Sequence, residues 1–297
     1  MTIPQDFSID RRLARQRFGR HAADADAAGF LSREVARRMA ERLVYIRYEP
    51  KRVLDLGCGH GRDFSLLGER WPESERIGID FAAPLLRLAR GERGFLQRLL
   101  GSARRADPRL ICADAEALPL EYASVQMIWS NLMLNWLHDT LPAIREMHRV
   151  LEVGGMLMFS TLGPDTLKEL RAVMPAGIGE RVHRFIDMHD IGDCLVQAGF
   201  AEPVMDMETI TLSYGEFDAL LADLRRAGAT NASTARPRGL AGKAGWKRAR
   251  EAYERLRTDG RLPASFEIIY GHAWKAAPKQ IADGRSVINF EPRRTKP

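Results

Sequence analysis

The sequence predicts an α/β fold: a seven-stranded, mostly parallel sheet with helices on both faces, an N-terminal helical lid and a helical insertion before the last strand. Three observations predict it. The apolar run Val53-Leu54-Asp55-Leu56 ends in the alternating glycines Gly57, Gly59 and Gly61, which reads as a buried strand turning sharply into a helix. From residue 52 to 161, short apolar runs alternate with helical stretches, as parallel strands covered on both faces do. Beyond a mostly helical, Arg-rich stretch the chain returns to one more apolar run over 266–274.

Residues 1–50 form the expected lid. A basic, Ala-rich segment over 11–28 precedes 30–43, where Leu31, Val35, Met39 and Leu43 recur at helical spacing opposite charged positions. Strand one covers 52–56, and a helix over about 63–70 leads to strand two at 76–80. Asp80 closes that strand about 20 residues beyond the glycines, where an acid accepts hydrogen bonds from ribose hydroxyls or caps the next helix. A helix at 83–90 and a long basic connection over 91–107 precede strand three at 109–113.

Strand four, 125–132, carries Asn131 to its C-terminal end, where ligands collect in doubly wound sheets. Trp136 follows, at the substrate mouth or in the core, and His138 beside Asp139 reads as a helix-cap or surface residue. A helix over 141–151 and strand five over 156–161 flank Gly154-Gly155. Helices at 165–174 and 188–198, strand six at 204–212 and the helical insertion at about 215–262 complete the pattern. The domain reading is therefore a lid at 1–50, a catalytic domain at 51–275 and a polar tail at 276–297.

A length of 297 residues with 45% hydrophobic and 28% charged side chains is ordinary globular usage. No apolar run approaches the ~18 residues of a membrane span, and the arginine-rich N-terminus lacks a signal-peptide core. The three cysteines, Cys58, Cys112 and Cys194, form no C-x-x-C pair, so neither a disulfide framework nor a metal site is indicated and a cytoplasmic setting is expected. The net charge of +6 is concentrated at 11–20 and 236–257 and suits an acidic partner.

Charge also selects the ligand of the glycine turn. Dinucleotide sites place a pyrophosphate over G-x-G-x-x-G. Here the third glycine comes one position early and Asp55 precedes the first by two residues. A carboxylate repels pyrophosphate and attracts the ammonium of a methionine moiety. The D-x-G-x-G-x-G pattern at Asp55, Gly57, Gly59 and Gly61 resembles motif I of the class I, Rossmann-like methyltransferases, which implies S-adenosyl-L-methionine as co-substrate and no metal. The same resemblance implies that Asp114 and the amide of Ala115 meet the adenine edge.

From Ser160 onward the chain resembles the malonyl-acyl-carrier-protein O-methyltransferases of biotin synthesis. The resemblance rests on Phe159-Ser160-Thr161-Leu162-Gly163-Pro164-Asp165-Thr166-Leu167-Lys168-Glu169-Leu170-Arg171, Arg184-Phe185-Ile186-Asp187, Ala227-Gly228-Ala229-Thr230-Asn231 and Gly260-Arg261-Leu262-Pro263. It implies an acyl carrier protein bearing malonyl-phosphopantetheine as partner, with neither nucleic acid nor a membrane span involved. Ala25 stands where that family has a tyrosine. The opening at 9–15 and the run at 165–171 also resemble mitochondrial complex I assembly factors of methyltransferase fold, associated with hydroxylation of a protein arginine. A small-molecule methyltransferase acting on a quinone precursor is a third alternative, for which His138 is the available base.

A malonyl carboxylate is ionised at neutral pH and needs no general base, only placement and a cation to recognise it. Arg184 is the first candidate for that cation, since a guanidinium binds carboxylate with a planar fork, and Arg171 is second. Trp136 completes the expected catalytic pair. Arg225, Arg226, Arg236, Arg238, Lys243, Lys247 and Arg248 are available to dock an acidic carrier.

Overall fold

The computed structural model describes residues 8–24, 26–91, 107–174, 182–236 and 242–277. Strands β1 (Arg52–Leu56), β2 (Glu75–Asp80), β3 (Arg109–Cys112), β4 (Val125–Asn131), β5 (Leu151–Leu162), β6 (Ala201–Tyr214) and β7 (Leu262–Trp274) form one sheet in the order β3-β2-β1-β4-β5-β7-β6. The first five pair in parallel, and β7 runs antiparallel to both β5 and β6. The expected seven-stranded, mostly parallel sheet is present.

Its central strands read as near-unbroken apolar runs because both of their faces are buried. Successive side chains leave a strand on opposite sides. Val53, Met127, Met156, Met158 and Ile268 enter one core, while their neighbours Leu54, Ile128, Leu157, Phe159 and Ile269 enter the other. The first core is closed by α2 (Phe30–Arg42) and α3 (Phe64–Arg70), through Val35, Met39 and Leu67. The second is closed by α5 (Thr140–Val150) and α7 (Met188–Gln197), through Ile144, Met147, Ile191 and Leu195.

The segment expected as a lid divides in two. Along α2, Val35, Ala36 and Met39 are buried on the sheet as an ordinary core layer. In contrast, α1 (Arg11–Arg20), capped by Asp10 through the Leu13 amide, lies beside α4 (Ala83–Gly91) with Phe18 against Phe81. The tyrosine-for-alanine position, Ala25, lies outside the described residues, as do most of the basic connection after α4 and the tail beyond 277.

Three strands are longer than expected. β5 begins at Leu151, which pairs with Val125 across a register shift, so Gly154-Gly155 lies inside the strand. β6 and β7 pair from Ala201 opposite Trp274 to Tyr214 opposite Leu262, with one register shift between Ala201 and Val204. Pro203 and Pro263 disguise these ends as loop. Pro203 falls in a bulge, and Pro263 gives its carbonyl to the Tyr253 hydroxyl at 2.6 Å. The insertion between them holds α8 (Phe217–Arg226) and α9 (Gly242–Glu254), whose Phe217, Leu220 and Tyr253 join the first core, while α6 (Lys168–Val173) adds Leu170.

Candidate active site

At the C-terminal ends of β1, β2 and β4 the chain encloses a cavity of about 310 Å³. Gly57, Gly59, Asp80, Asp114, Ala115, Asn131 and Trp136 all line it, as expected of a ligand site. Gly57 (φ 83°) donates its amide to Ile79 O at 2.7 Å, and a Cβ there would lie 2.5 Å from Met133 Cγ. Gly59 (φ 56°) differs, because a Cβ on it would meet nothing within 4 Å. Its bare backbone faces open space, as a loop built for close approach of a ligand does. Gly61 is not on the cavity wall and closes the turn by donating to Cys58 O at 2.8 Å.

Asp80 accepts from the Gly59 amide at 2.9 Å and the Ala82 amide at 2.7 Å. It therefore caps the following turn and also faces the cavity, so its two readings are compatible. Burial raises its pKa against the pull of those two amides. Asp55 is buried at the heart of β1 and does not line the cavity, and its Oδ2 has no hydrogen-bond partner among the described residues. Burial first, then the nearby carboxylates Asp63 and Asp80, push its pKa well up.

Three buried acids behind one glycine turn call for a cation and would repel a pyrophosphate. The site therefore fits a ligand with a positively charged amino-acid end, such as S-adenosyl-L-methionine. Among the described residues, no group of three or more His, Cys, Asp or Glu is placed to hold a metal.

Asp114 is held from both sides. Its carboxylate receives Arg11 and the Glu116 amide, the latter at 3.0 Å, while Arg11 also reaches Glu116 at 2.8 Å. Burial works to raise the Asp114 pKa, but Arg11 and the amide outweigh it and hold the carboxyl below the usual range.

Asn131 is more committed than a ligand contact alone would require. Its amide donates to Ser32 O at 2.9 Å and Asp63 Oδ2 at 3.1 Å, and its oxygen accepts from Ser160 Oγ at 3.0 Å. Asp63 takes a further bond from Trp129 Nε1 at 2.8 Å. Asn131 thus ties the start of α2 to β4, β5 and the glycine turn.

Arg184 does not stand where its role requires. It is exposed and is not among the residues lining the cavity, whereas His183 and Phe185 are buried and line it. The cavity takes the residues on either side of Arg184, and Arg184 between them is exposed. Arg171 is also absent from the wall and donates to the carbonyls of Pro164 at 2.7 Å and Thr166 at 3.1 Å. His138 is exposed and outside the cavity. Trp136 is on the wall, edge-on to Phe18 with centroids 4.9 Å apart and to His183 at 5.3 Å.

Several wall features escaped the sequence reading. Arg62 donates to Gly29 O at 2.9 Å and Ser32 Oγ at 2.7 Å and pairs with Asp26 at 3.1 Å, fastening the segment before α2 to the glycine turn. Leu132 (φ 53°) and Leu167 (φ 55°) hold left-handed backbone on the wall. Ser160 stabilises the first by accepting the Leu132 amide at 3.0 Å, and Ser265 O accepts the Leu167 amide at 2.6 Å. Such strain is concentrated at functional sites. Asp63, two residues after Gly61, stands off the wall at the N-cap position of α3, but its carboxylate makes no capping bond and serves Trp129 and Asn131 instead.

A methyltransferase-domain family model matches residues 54–159. Among solved structures, the YcgJ protein of Bacillus subtilis superposes with a TM-score of 0.55 at 18% identity, covering 82% of this chain and 99% of that one. The cyclase SpnF superposes with a TM-score of 0.51 at 23% identity, covering 82% and 81%. These likenesses establish the fold, which alone fixes no chemistry. Sequence relatives decide more. The malonyl-acyl-carrier-protein O-methyltransferase of Gallionella capsiferriformans is 50% identical over 285 residues, 95% of this chain and 97% of that one. That of Laribacter hongkongensis is 50% identical over 298 residues, 98% and 99% of the two chains. This chain belongs to the malonyl-acyl-carrier-protein O-methyltransferase family. Full-length identity at this level decides between the resemblances seen in short motifs, because it spans the cofactor turn, the insertion and β7 together.

Proposed function

We propose that this protein transfers a methyl group to the free carboxylate of malonyl-acyl-carrier protein, making the methyl ester used in biotin synthesis. The observation that carries the reading is identity of 50% along 95% of the chain with a relative of that name. The cavity supports it: its wall joins Gly57, Gly59, Asp80 and Asp114 to an apolar cluster that includes Leu162, Leu167, Phe185, Leu212, Leu224 and Phe266. S-adenosyl-L-methionine, when bound, supplies the electrophilic methyl.

The chain supplies placement. Asp55 and Asp63, buried behind the glycine turn, favour the cationic amino-acid end of the cofactor, Asp80 on the wall serves its ribose, and Asp114 with the Ala115 amide presents an adenine edge. Asn131, through Ser32 and Asp63, holds the start of α2 against the turn. The apolar acyl end keeps water from a nucleophile that is already ionised, so orientation supplies most of the rate. A route through enol or phenol chemistry loses its base, since His138 is exposed and off the wall.

The carrier protein is acidic, and Arg225, Arg226, Lys243, Lys247 and Arg248 are exposed on α8 and α9 to receive it. Arg236 is instead drawn inward, donating to Ser233 O at 2.9 Å and lying 3.4 Å from Asp10, and Arg238 lies outside the described residues. No helix among the described residues is long and apolar enough to cross a membrane. Free Cys58, Cys112 and Cys194 support the reading of a reducing, cytoplasmic setting. The test is incubation with methyl-labelled cofactor and malonyl carrier protein, followed by mass measurement of the acyl arm. One added methyl group on the arm is expected, and an unmodified arm in the presence of bound cofactor would refute the proposal.

A further inference from the structure

With Arg184 on the outer side of its segment, the cavity must recognise the malonyl carboxylate by other means. The cationic and imidazole groups on the wall can be taken in turn. Arg11 pairs with Glu116 at 2.8 Å, Arg62 with Asp26 at 3.1 Å, His21 with Asp24 at 3.8 Å and His60 with Asp26 at 3.7 Å. His183 is different. It is 5% exposed, it has no carboxylate partner among the described residues, and its Nε2 is shut away from solvent, which leaves Nδ1 as the ring nitrogen open to a ligand.

The charges that bear on His183 are Arg171 from α6 and Arg17 from α1, both positive. Burial first, and those two guanidiniums second, bring its pKa down to about 4, so the ring is neutral at physiological pH and carries one N–H. A neutral N–H donor set among positive charges, with no carboxylate paired to it among the described residues, is the environment of an anion site.

Its position along the cavity fits the acyl end. Rings succeed one another along the wall: Phe81, directly after Asp80, meets Phe18 at 6.0 Å, Phe18 meets Trp136 at 4.9 Å, Trp136 meets His183 at 5.3 Å and His183 meets Phe185 at 4.6 Å. The row starts beside the acid expected to hold ribose and reaches Phe185, which shares one apolar cluster with Leu167 and Phe266. Binding cavities of this kind need a few polar groups in an otherwise apolar wall.

We propose that His183 is the carboxylate-binding residue of the cavity, donating from Nδ1 to one oxygen of the malonyl group and leaving the other oxygen free to attack the methyl. A neutral donor suits this task, because it orients the carboxylate without cancelling the charge that makes the second oxygen nucleophilic. The inference rests on the function proposed above and names how that function selects its substrate.

The test compares binding of malonyl-pantetheine and acetyl-pantetheine, which differ by the carboxylate, to the full-length protein saturated with S-adenosylhomocysteine. The wild type should prefer the malonyl compound by about tenfold to a hundredfold, the range of a hydrogen bond to a charged group. His183→Phe keeps a ring against Trp136 and Phe185 and should abolish that preference while changing S-adenosylhomocysteine affinity less than about twofold. His183→Asn, which retains a donor near the Nδ1 position, should restore part of the preference. Equal binding of the two compounds by the wild type, an undiminished preference in His183→Phe, or loss of S-adenosylhomocysteine binding in both variants would overturn the inference and leave His183 a packing residue. Failure of the function itself would show separately, as wild-type protein that leaves malonyl carrier protein unmethylated.

Discussion

Replacing Asp55 with asparagine isolates the charge on which the cofactor reading depends. The two side chains have nearly the same shape, so packing inside β1 is preserved while the carboxylate is removed. If Asp55 serves the ammonium of the ligand, the loss is that of one interaction with a charged group, about 1.5–3 kcal/mol, or a dissociation constant raised about 10- to 150-fold. The ammonium is common to S-adenosyl-L-methionine and S-adenosylhomocysteine, so both should weaken alike.

Stability should move the other way. The Asp55 pKa is raised by burial and by Asp63 and Asp80, so the folded state binds this proton more tightly than the unfolded chain does. Its contribution is fully present below the ordinary carboxylate range and is lost as pH rises through the raised folded value. Without ligand, Asp55→Asn should therefore melt above the wild type at the high end of this window and show a flatter dependence of Tm on pH. Calorimetric titration with each ligand, and melting curves from about pH 4 to about pH 8, make the measurement. Wild-type affinity in the variant would refute the charge argument. A loss confined to S-adenosyl-L-methionine would move the role of Asp55 from the ammonium to the sulfonium.

The two glycines on the wall should separate stability from binding. Gly57→Ala meets Met133 at 2.5 Å with φ at 83° and should cost about 1–3 kcal/mol of stability, whereas Gly59→Ala meets nothing within 4 Å and should lose more in cofactor affinity than in Tm. The reverse order would place the ligand elsewhere. Arg62→Met removes the bonds to Gly29 O, Ser32 Oγ and Asp26 and should lower stability by about 1–3 kcal/mol while opening residues 21–29 to limited proteolysis. An unchanged digestion pattern would deny Arg62 its fastening role. Reversing Arg225, Arg226, Lys243, Lys247 and Arg248 to glutamate should raise KM for malonyl carrier protein at low salt, fade at high salt, and leave KM for malonyl-pantetheine unchanged. Equal effects on the two substrates would argue against docking on α8 and α9.

What the sequence made legible, and what it hid, follows from how far apart the interacting residues lie. The glycine turn is a local object: Asp55, Gly57, Gly59 and Gly61 lie within seven consecutive positions, and their backbone angles and neighbouring strand are dictated by those positions. Asp80, Asp114 and Asn131 are placed by the ends of parallel strands, so fold topology alone brings them to one cavity. The position of Asn131 was therefore readable, but its full occupation was not, because Ser32, Asp63 and Ser160 reach it from three separate elements.

Strand ends failed for a related reason. Pro203 and Pro263 weaken a strand when judged alone, but here each is carried by a partner strand that supplies the pairing on either side. Arg184 is the most instructive case. The motif around it pointed to the right segment, and the chemistry of carboxylate recognition pointed to a cation, yet in an extended chain a shift of one residue exchanges the buried face for solvent. Composition cannot fix that phase. It is set in the folded chain, where Val182 and Phe185 are buried in the first core, His183 and Phe185 line the cavity and Arg184 between them is exposed. The residue type a reaction asks for is thus a weaker guide than the neighbouring apolar side chain that decides which way the backbone faces.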